Sequence, residues 1–331
     1  MKKVVLMLFI LVLCSTFVFA NGSTESSTAA KKTVAYPTKE ITIIIPWNPG
    51  GTNDLMARAM QPIFKSMYNV DLVVKNVPGG GSAVGITEAM IAKPDGYTLG
   101  LATSSYLALI AQGRVSSAFD DASNMMNVAQ EPVCLVVKAK GKYADAEAVI
   151  AAAKAKSKSI SVGIPGSNNV NQAYATILQE KIGSEFNFMP FDGGSRIVAE
   201  LIGGHIDAGV LKPSETITQV RAGELAIVGV FNKDGIAILP EVPTFDSLGY
   251  DVFRLGNIQQ TAYLMGPKGI DSEIQTKIID MFTNVLKSEE YKAFADQVGI
   301  NVAAFSGTEF DTFIHEVYDG LVKASEEIFT K

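Results

Sequence analysis

Histidine and cysteine are scarce in this chain of 331 residues, with two of each, and tryptophan occurs once. The two histidines, His205 and His315, lie far apart in the sequence and lack the spacing of a metal site. The sequence also lacks the HExxH, CxxC, nucleophile-elbow and P-loop patterns that carry metal, redox, acyl-transfer and phosphoryl-transfer chemistry. These absences argue against an enzyme, and we expect neither a metal nor a cofactor.

A dinucleotide site is indicated only weakly. Gly79, Gly81 and Gly85 form a loose GxGxxxG after a predicted strand. However, this turn belongs to the second strand–helix unit, Pro78 precedes it, and no acidic residue is evident for binding a ribose. Another role for these glycines is therefore favoured.

Long apolar runs are absent after residue 20. The basic start, the apolar run from Val4 to Phe19 and the small residue Ala20 are typical of a secretory signal peptide. The run is shorter than the roughly 20 residues that a membrane-spanning helix needs, so we expect residues 1–20 to be removed. The alternative is a lipoprotein signal with the lipid on Cys14, although Leu13 stands where a small residue is expected.

The charge and the remaining cysteine limit the possible partners. The net charge is −6, and removal of two lysines with the signal peptide would make it −8, which argues against nucleic acid and anionic membrane as partners. Cys134 would be the only cysteine left, so it cannot form an intramolecular disulfide and is predicted to be buried in a strand. Residues 21–35 are small and polar and predict a flexible lead.

A β-rich apolar run, a Gly-rich turn and a segment of helical period recur four times in the sequence. The predicted strands are 41–45, 70–75, 160–164 and 186–189, and the Gly-rich turns are 46–52, 76–81, 165–167 and 192–194. Strands that alternate with helices predict an α/β fold with parallel sheets covered by helices on both faces. The nearly continuous apolar run 41–45 is typical of a strand buried on both sides.

The four units fall into two groups, separated by a predicted helix around Tyr143 to Lys156. Further predicted strands are 97–101, 208–211, 225–231 and 263–265, and further helices are 272–298 and 308–329. We expect two α/β lobes with a ligand cleft between them. The predicted lobes are residues 36–137 plus 256–331, and residues 138–255.

The Gly-rich turns suit the binding of an anion. Each opens a helix at the carboxyl end of a strand, where open α/β sheets bind their ligands. The first N–H groups of a helix lack intrahelical partners, and each helix end carries about half a positive charge. A single Gly-rich turn is common in such folds, but four of them that face one cleft would form an anion site. The helix openers are good N-cap types: Thr52 or Asn53, Ser82, Asn168 and Ser195.

Several side chains near these turns have two interpretations each. Asp54 complements a helix dipole or contacts the ligand, and Trp47 packs in the core or forms a wall of the cleft. Thr103 and Ser104, with Ser105 beside them, cap a helix or offer hydroxyls to a ligand. Lys212 is either a solvated lysine or a charge at the ligand-bearing edge of the sheet.

At these loops the sequence resembles the substrate-binding proteins of tripartite tricarboxylate transporters, the Bug family. Residues 46–54 (PWNPGGTND) with Ala57 and Arg58 resemble its PF-x-PGG-x-x-D-x-x-AR signature, and 76–81 (NVPGGG) with Gly85 resembles its N-x-PG-x-G stretch. The further matching segments follow in the expected order: 94–99 (PDGYTL), 190–194 (PFDGG), 201–207 (LIGGHID) and 239–244 (LPEVPT). The similarity extends from about Tyr36 to the C-terminus.

The resemblance implies a periplasmic binding protein type II-like fold, whose two α/β lobes close around a carboxylate or similar metabolite. It implies a periplasmic receptor, here expected to be a monomer, that delivers its ligand to integral-membrane transporter subunits. From the loops and this match we predict a ligand-binding set: Trp47, Asn48, Gly50, Gly51, Thr52, Asp54, Gly81, Ser82, Thr103, Ser104, Gly166, Ser167, Asn168, Asn171, Phe191, Gly193, Gly194, Asp207 and Lys212.

Four positions depart from the family pattern. Trp47 replaces the usual phenylalanine, Asn171 a common histidine, Asp192 a typical lysine, and Lys212 the usual asparagine. The change at Asp192 and Lys212 would relocate positive charge, so we hypothesise that Lys212 pairs with a second charged group of the ligand. Two other functions stay open from the sequence: an exported α/β enzyme acting on small carboxylates, and a sensory binding module for a membrane receptor. The identity of the ligand is not encoded in any motif.

Overall fold

The structure is a computed structural model that describes residues 35–256 and 258–329. The predicted signal peptide and most of the predicted lead fall in residues 1–34, outside the described residues. Within the two described ranges, no helix combines the length and the apolar character needed to cross a membrane.

Ten strands form two sheets in the described part of the chain. The first sheet contains β1 (Ile41–Ile45), β2 (Leu72–Asn76), β3 (Thr98–Thr103), β4 (Ala122–Glu131) and β10 (Gln260–Pro267). The second contains β5 (Cys134–Lys138), β6 (Ser161–Pro165), β7 (Asn187–Phe191), β8 (Ala208–Leu211) and β9 (Leu225–Val230).

Helices follow most of these strands. They are α1 (Thr52–Tyr68), α2 (Ala83–Met90), α3 (Ser104–Ala111), α4 (Ala146–Ala155), α5 (Val170–Ile182), α6 (Gly194–Gly203), α7 (Pro213–Arg221), α8 (Ser272–Lys287), α9 (Glu289–Val298) and α10 (Gly307–Ala324). Short turns of other helical types lie at Gly80–Ser82, Phe119–Asp121 and Ser325–Phe329. The predicted α/β fold class with two sheets is confirmed.

The two sheets share one topology, with strand orders β2-β1-β3-β10-β4 and β7-β6-β8-β5-β9. Strands β1, β2 and β3 are parallel, as are β6, β7 and β8. The sheets predicted as parallel are mixed, because β10 is antiparallel to both its neighbours and so is β5. β5 and β10 are the strands that the chain forms directly after it passes from one sheet to the other. A parallel strand needs a crossover helix before it, and neither of these two strands follows one.

The chain passes between the sheets twice. It leaves the first sheet after Glu131 and enters the second at Cys134, which is buried in β5 as predicted. It returns between Val230 and Gln260. The expected division at 137–138 falls inside β5, a strand of the second sheet, and the exact lobe limits stay a prediction.

Strand β1 is apolar at nearly every position because both of its faces are buried. Ile43 and Ile45 pack on one face of the first sheet with Phe64 of α1, and Ile44 packs on the opposite face with Ile86 of α2. All these side chains are almost fully buried. Burial of each isoleucine contributes about 1.5–3 kcal/mol, so the run fixes the strand between two helical layers. The turn that follows β1 is thereby held at one edge of the sheet.

The C-terminal helices differ from the sequence expectation in one respect. The single helix predicted over 272–298 is two helices, α8 and α9, separated at Ser288. The Ser288 side chain accepts a hydrogen bond from the backbone N–H of Tyr291, so it ends one helix and caps the next.

Candidate ligand-binding site

The carboxyl ends of the parallel strands of both sheets meet at one cavity. Its empty volume is about 470 Å³, including the part open to solvent. The first sheet and its loops contribute Trp47, Asn48, Gly51, Thr52, Asn53, Thr103, Ser105 and Gln260. The second contributes Pro165, Asn171, Gly193, Gly194, Ser195, Lys212 and Glu215. A molecule in this cavity would contact both sheets.

Three helices begin at the cavity without a side-chain cap. The N-cap residues are Gly51 for α1, Thr103 for α3 and Gly193 for α6. The two glycines have no side chain, and the Thr103 side chain accepts no hydrogen bond from its helix. The first N–H groups of these helices lack intrahelical acceptors and carry partial positive charge. The cavity therefore has neutral donors from both sheets, which favour an anion.

The Thr103 hydroxyl is a further polar group at this place. Thr103 is 5% exposed, and its Oγ1 atom has no hydrogen-bond partner within the described chain. An unsatisfied buried hydroxyl costs about 1–3 kcal/mol, which a ligand oxygen next to it would offset. Thr103 thus supplies a side-chain donor beside the uncapped start of α3.

Hydrogen bonds join the two sheets at the edge of the cavity. The hydroxyl oxygens of Thr52 and Ser214 lie 2.7 Å apart in a buried contact between α1 and α7. The side-chain amide of Asn48 donates to the backbone oxygen of Asp192 at 3.3 Å. The first and fourth Gly-rich turns are therefore held against each other.

A chain of side-chain amides forms the floor between the sheets. Ser104 Oγ donates to Gln260 Oε1 at 2.9 Å, and Gln260 Nε2 donates to Asn171 Oδ1. Asn171 Nδ2 then donates to the backbone oxygen of Val210 at 2.8 Å. This places Asn171 and Gln260 in fixed orientations in the lining, and it uses the Ser104 hydroxyl for support of the floor.

Lys212 does not stand alone at the ligand-bearing edge. Its Nζ lies 3.5 Å from Glu131 Oε2, and its backbone N–H donates to Glu215 Oε2 at 3.0 Å. Burial raises the pKa of the Glu131 carboxyl above its usual range, although the Lys212 charge and the Ser214 hydroxyl act in the opposite direction. Lys212 therefore already faces a carboxylate of its own chain, and its pairing with a second charged group of the ligand stays a hypothesis.

Asp54 also has a different position from the one predicted. Its carboxylate accepts the N–H of Gly50 at 2.9 Å, Arg58 Nε at 2.9 Å and Asn76 Nδ2 at 3.0 Å, and it is absent from the cavity lining. Burial alone would raise the pKa of Asp54, but these hydrogen bonds and the Arg58 charge outweigh it and lower the pKa. Asp54 and Gly50 thus stabilise the first Gly-rich turn through their mutual hydrogen bond, and neither lines the cavity.

The second and third Gly-rich turns meet each other outside the lining. A Cβ built on Gly166 would lie 3.6 Å from the Cα of Gly81, and both glycines have positive φ. The backbone oxygens of Ser167 and Asn168 accept hydrogen bonds from side chains that follow α3. Of the predicted set, Gly81, Ser82, Gly166, Ser167 and Asn168 thus lie beside the cavity without lining it.

Asp207 and Phe191, two further residues of the predicted set, do not line the cavity. Asp207 precedes β8 and its carboxylate accepts from the Ser161 N–H at 3.0 Å, at the opposite edge of the second sheet. That edge is roughly 13 Å from the strand ends at the cavity, since β6 spans five residues. The Phe191 side chain packs in the core of the second sheet, and its backbone oxygen accepts the Gly166 N–H at 2.7 Å.

The cavity brings together part of the predicted set: Trp47, Asn48, Gly51, Thr52, Thr103, Asn171, Gly193, Gly194 and Lys212. It adds lining residues that the set lacked: Asn53, Ser105, Pro165, Ser195, Glu215 and Gln260. Four of these lie one position from a predicted residue: Asn53, Ser105, Pro165 and Ser195. Glu215 could have been found as an acid in the first turn after Lys212. Gln260 had no local signal, because its strand reaches the site only through tertiary pairing.

Metal ligands do not cluster in residues 35–256 and 258–329: no group of three or more His, Cys, Asp and Glu side chains there could hold an ion. His205 is exposed and contacts Glu200 at 2.8 Å, away from the cavity.

Known proteins share this architecture. The profile of the tripartite tricarboxylate transporter family receptor matches residues 56–326. BugT of Bordetella pertussis is 27% identical over 274 residues, which cover 81% of this chain and 83% of BugT. A structure described as a periplasmic transporter is 26% identical with a TM-score of 0.82 and covers 88% of this chain and 98% of its own. MatC from Rhodopseudomonas palustris, solved with bound malate, is 18% identical with a TM-score of 0.77 and covers 87% of this chain and 100% of its own.

These similarities confirm the family that the ordered loop motifs indicated. The family is one of receptors, and the solved structures have the two-lobe architecture of periplasmic binding proteins. The chain belongs to the tripartite tricarboxylate transporter receptor family.

Proposed function

We propose that this protein is the extracytoplasmic solute-binding receptor of a tripartite tricarboxylate-type uptake system and that it binds a small carboxylate-type metabolite. The observation that carries the proposal is the set of three helix N-termini, from both sheets, around one cavity, of which those of α1 and α3 have no side-chain cap from their N-cap residue. Neutral N–H donors stabilise a carboxylate without a buried countercharge. The malate in MatC, a distant relative, is a ligand of the same chemical class.

The mode of action that we propose is closure of two lobes on the ligand, without chemical conversion. The lobes would be residues 36–137 plus 256–331, and residues 138–255, with the first passage between the sheets at Pro132 and Val133. Ligand bound between the sheets would favour the closed arrangement by its contacts with both. The closed form would then deliver the ligand to integral-membrane transporter subunits.

Export to the periplasm is part of the proposal and depends on the predicted signal peptide. Intact-mass measurement of the protein from a secreting host tests it. Cleavage after Ala20 gives an unmodified chain that starts at Asn21, whereas lipidation would give a chain that starts at Cys14 with acyl mass added. A retained N-terminus would contradict export.

Two measurements test the binding function. Native mass spectrometry of the purified protein would identify a co-purified metabolite, and calorimetric titration with mono-, di- and tricarboxylates would give its affinity. We expect at least one carboxylate to bind at micromolar concentration or below, with no turnover and with a smaller radius of gyration in solution scattering. Failure of every carboxylate, or conversion of one into a product, would overturn the proposal.

A further inference from the structure

The charges at the second-sheet end of the cavity do not suit a second carboxylate. Lys212 and Glu215 are the charged residues of the lining, and Glu131 lies behind Lys212 at 3.5 Å. If Glu131 is ionised, the three groups carry a net negative charge. If Glu131 is protonated, Lys212 and Glu215 cancel. In neither state is there a surplus positive charge to bind an anionic group at this end.

The Glu215 carboxylate is fixed in its position by two features. Its Oε2 accepts the backbone N–H of Lys212 at 3.0 Å, in the first turn of α7. A Cβ at Gly194 would lie 2.3 Å from Glu215 Oε1, so the absence of a side chain at Gly194 allows the carboxylate to lie against the start of α6. Glu215 is therefore a preorganised anion that occupies the wall of the cavity.

The first-sheet end has the opposite character. The uncapped starts of α1 and α3 and the unpartnered Thr103 hydroxyl present donors without any formal charge. Donors at one end and a fixed carboxylate at the other favour a ligand with an acceptor group and a cationic donor group. The hydrogen bonds at both ends would be charge-assisted, and those of the ammonium group with Glu215 would join two formal charges.

We propose that the ligand is a small amino-carboxylate, whose carboxylate binds the helix starts of the first sheet and whose ammonium group binds Glu215. This inference rests on the receptor function proposed above and specifies the substrate class of the same cavity. Glu215 is then the residue that discriminates an ammonium group from a second carboxylate.

Titration of the wild-type protein with matched pairs tests the substrate class. Each pair exchanges one carboxylate for an ammonium group at equal length, as in succinate and β-alanine or glutarate and γ-aminobutyrate, and α-amino acids complete the panel. We expect the best amino-carboxylate to bind about tenfold or more tightly than any dicarboxylate, a factor that corresponds to about 1.4 kcal/mol. Tighter binding of dicarboxylates, or of carboxylates without an amine, overturns the inference but leaves the receptor function standing. Binding of no carboxylate at all overturns both.

The variant Glu215→Gln tests the residue itself. Glutamine keeps an oxygen for the Lys212 N–H but removes the charge, so the fold should be retained, which unfolding without ligand checks. We expect the best amino-carboxylate to lose about tenfold or more in affinity and its dicarboxylate counterpart to gain, because the repulsion is removed. Glu185→Gln is the matched control, since Glu185 is exposed and pairs with Lys158 outside the cavity. Equal losses for both ligand types, or no loss, overturn the role of Glu215.

Discussion

Lys212 Nζ lies 3.5 Å from Glu131 Oε2, and the two side chains are only 13% and 3% exposed. Removal of two such charges from water costs several kcal/mol per ion, and their attraction offsets this only in part. Glu131 Oε1 has no hydrogen-bond partner in the described residues, so the pair is not optimised for stability. Its position next to the cavity indicates that it sets the local charge there.

The first prediction concerns this pair. The pKa of Glu131 is raised above its ordinary value of 4.5, which means that the folded state favours the protonated carboxyl. The contribution of Glu131 to the free energy of unfolding is therefore fully present at low pH and is lost as the pH rises. In Lys212→Met the pKa of Glu131 rises further, because the lysine charge that lowers it is removed. The loss of folding stability then continues to higher pH than in the wild type. We expect the variant to be less stable than wild type by about 3 kcal/mol near neutral pH, with a much smaller deficit near pH 4.5.

Urea unfolding at the two pH values measures this deficit. Lys138→Met is the control, because Lys138 is an exposed lysine of the neighbouring strand β5. A deficit that is the same at both pH values would show that Glu131 and Lys212 are not coupled.

The second prediction concerns the unpartnered hydroxyl of Thr103. Thr103→Val removes the hydroxyl at nearly constant volume, so stability should stay constant or rise by about 1 kcal/mol. The affinity for the best-binding carboxylate should fall about tenfold, since a hydrogen bond to a charged group contributes about 1.5–3 kcal/mol. Calorimetry and urea unfolding together measure both effects.

Thr261→Val is the matched control for Thr103. The Thr261 hydroxyl donates to Asn127 Oδ1 at 2.8 Å and lies outside the cavity lining. Its loss should lower the free energy of unfolding by about 1 kcal/mol and leave affinity unchanged. Unchanged affinity in Thr103→Val as well would remove Thr103 from the site.

The third prediction separates the structural role of Asp54 from a role in binding. Its lowered pKa means that it stabilises the fold above the ordinary 3.8 and that this contribution is lost as the pH falls through the lowered value. Asp54→Asn should therefore cost about 1–3 kcal/mol near neutral pH, and urea unfolding should show a smaller cost as the pH falls below 3.8. Asp71→Asn, at an exposed ion pair with Lys65, should have little effect at either pH.

The fourth prediction concerns Gly85, the last glycine of the weak dinucleotide pattern. A Cβ at Gly85 would lie 2.6 Å from the Val77 backbone oxygen and 2.9 Å from the Pro46 Cα, so α2 packs directly on the loops of the first sheet. Although alanine favours helices, Gly85→Ala should lower stability by about 1–3 kcal/mol through overpacking. Gly203→Ala in α6 is the control, because the three atoms nearest to its Cβ would belong to the exposed His205 ring. Thermal unfolding compares the two variants.

Local sequence patterns located the elements that carry continuous apolar runs. The predicted bounds of β1 and β8 agree with the structure, because Ile41–Ile45 and Ala208–Leu211 are buried on both faces. Strand β4 gave no such pattern, since Asn124 and Asn127 interrupt it and its pairing partner β10 lies more than a hundred residues away. Such a strand is specified by tertiary pairing rather than by its own residues.

The same limit applies to the candidate site. Gly-rich turns marked the loops, but they could not show which backbone faces the cavity, and neither Asp54 nor Asp207 of the predicted set lines it. Glu131 and Gln260 reach the region from the ends of β4 and β10. Their proximity to Lys212 and Asn171 depends on how the two sheets face each other, which no segment of the sequence encodes alone.

Glu131 is the last residue of β4, directly before the chain crosses into the second sheet, and its partner Lys212 belongs to that second sheet. If the two lobes close as proposed, the contact of Glu131 with Lys212 also spans the place where the chain passes from one lobe to the other. Substitutions that change the charge beside the cavity at this contact would then also change the relative stability of the open and closed forms.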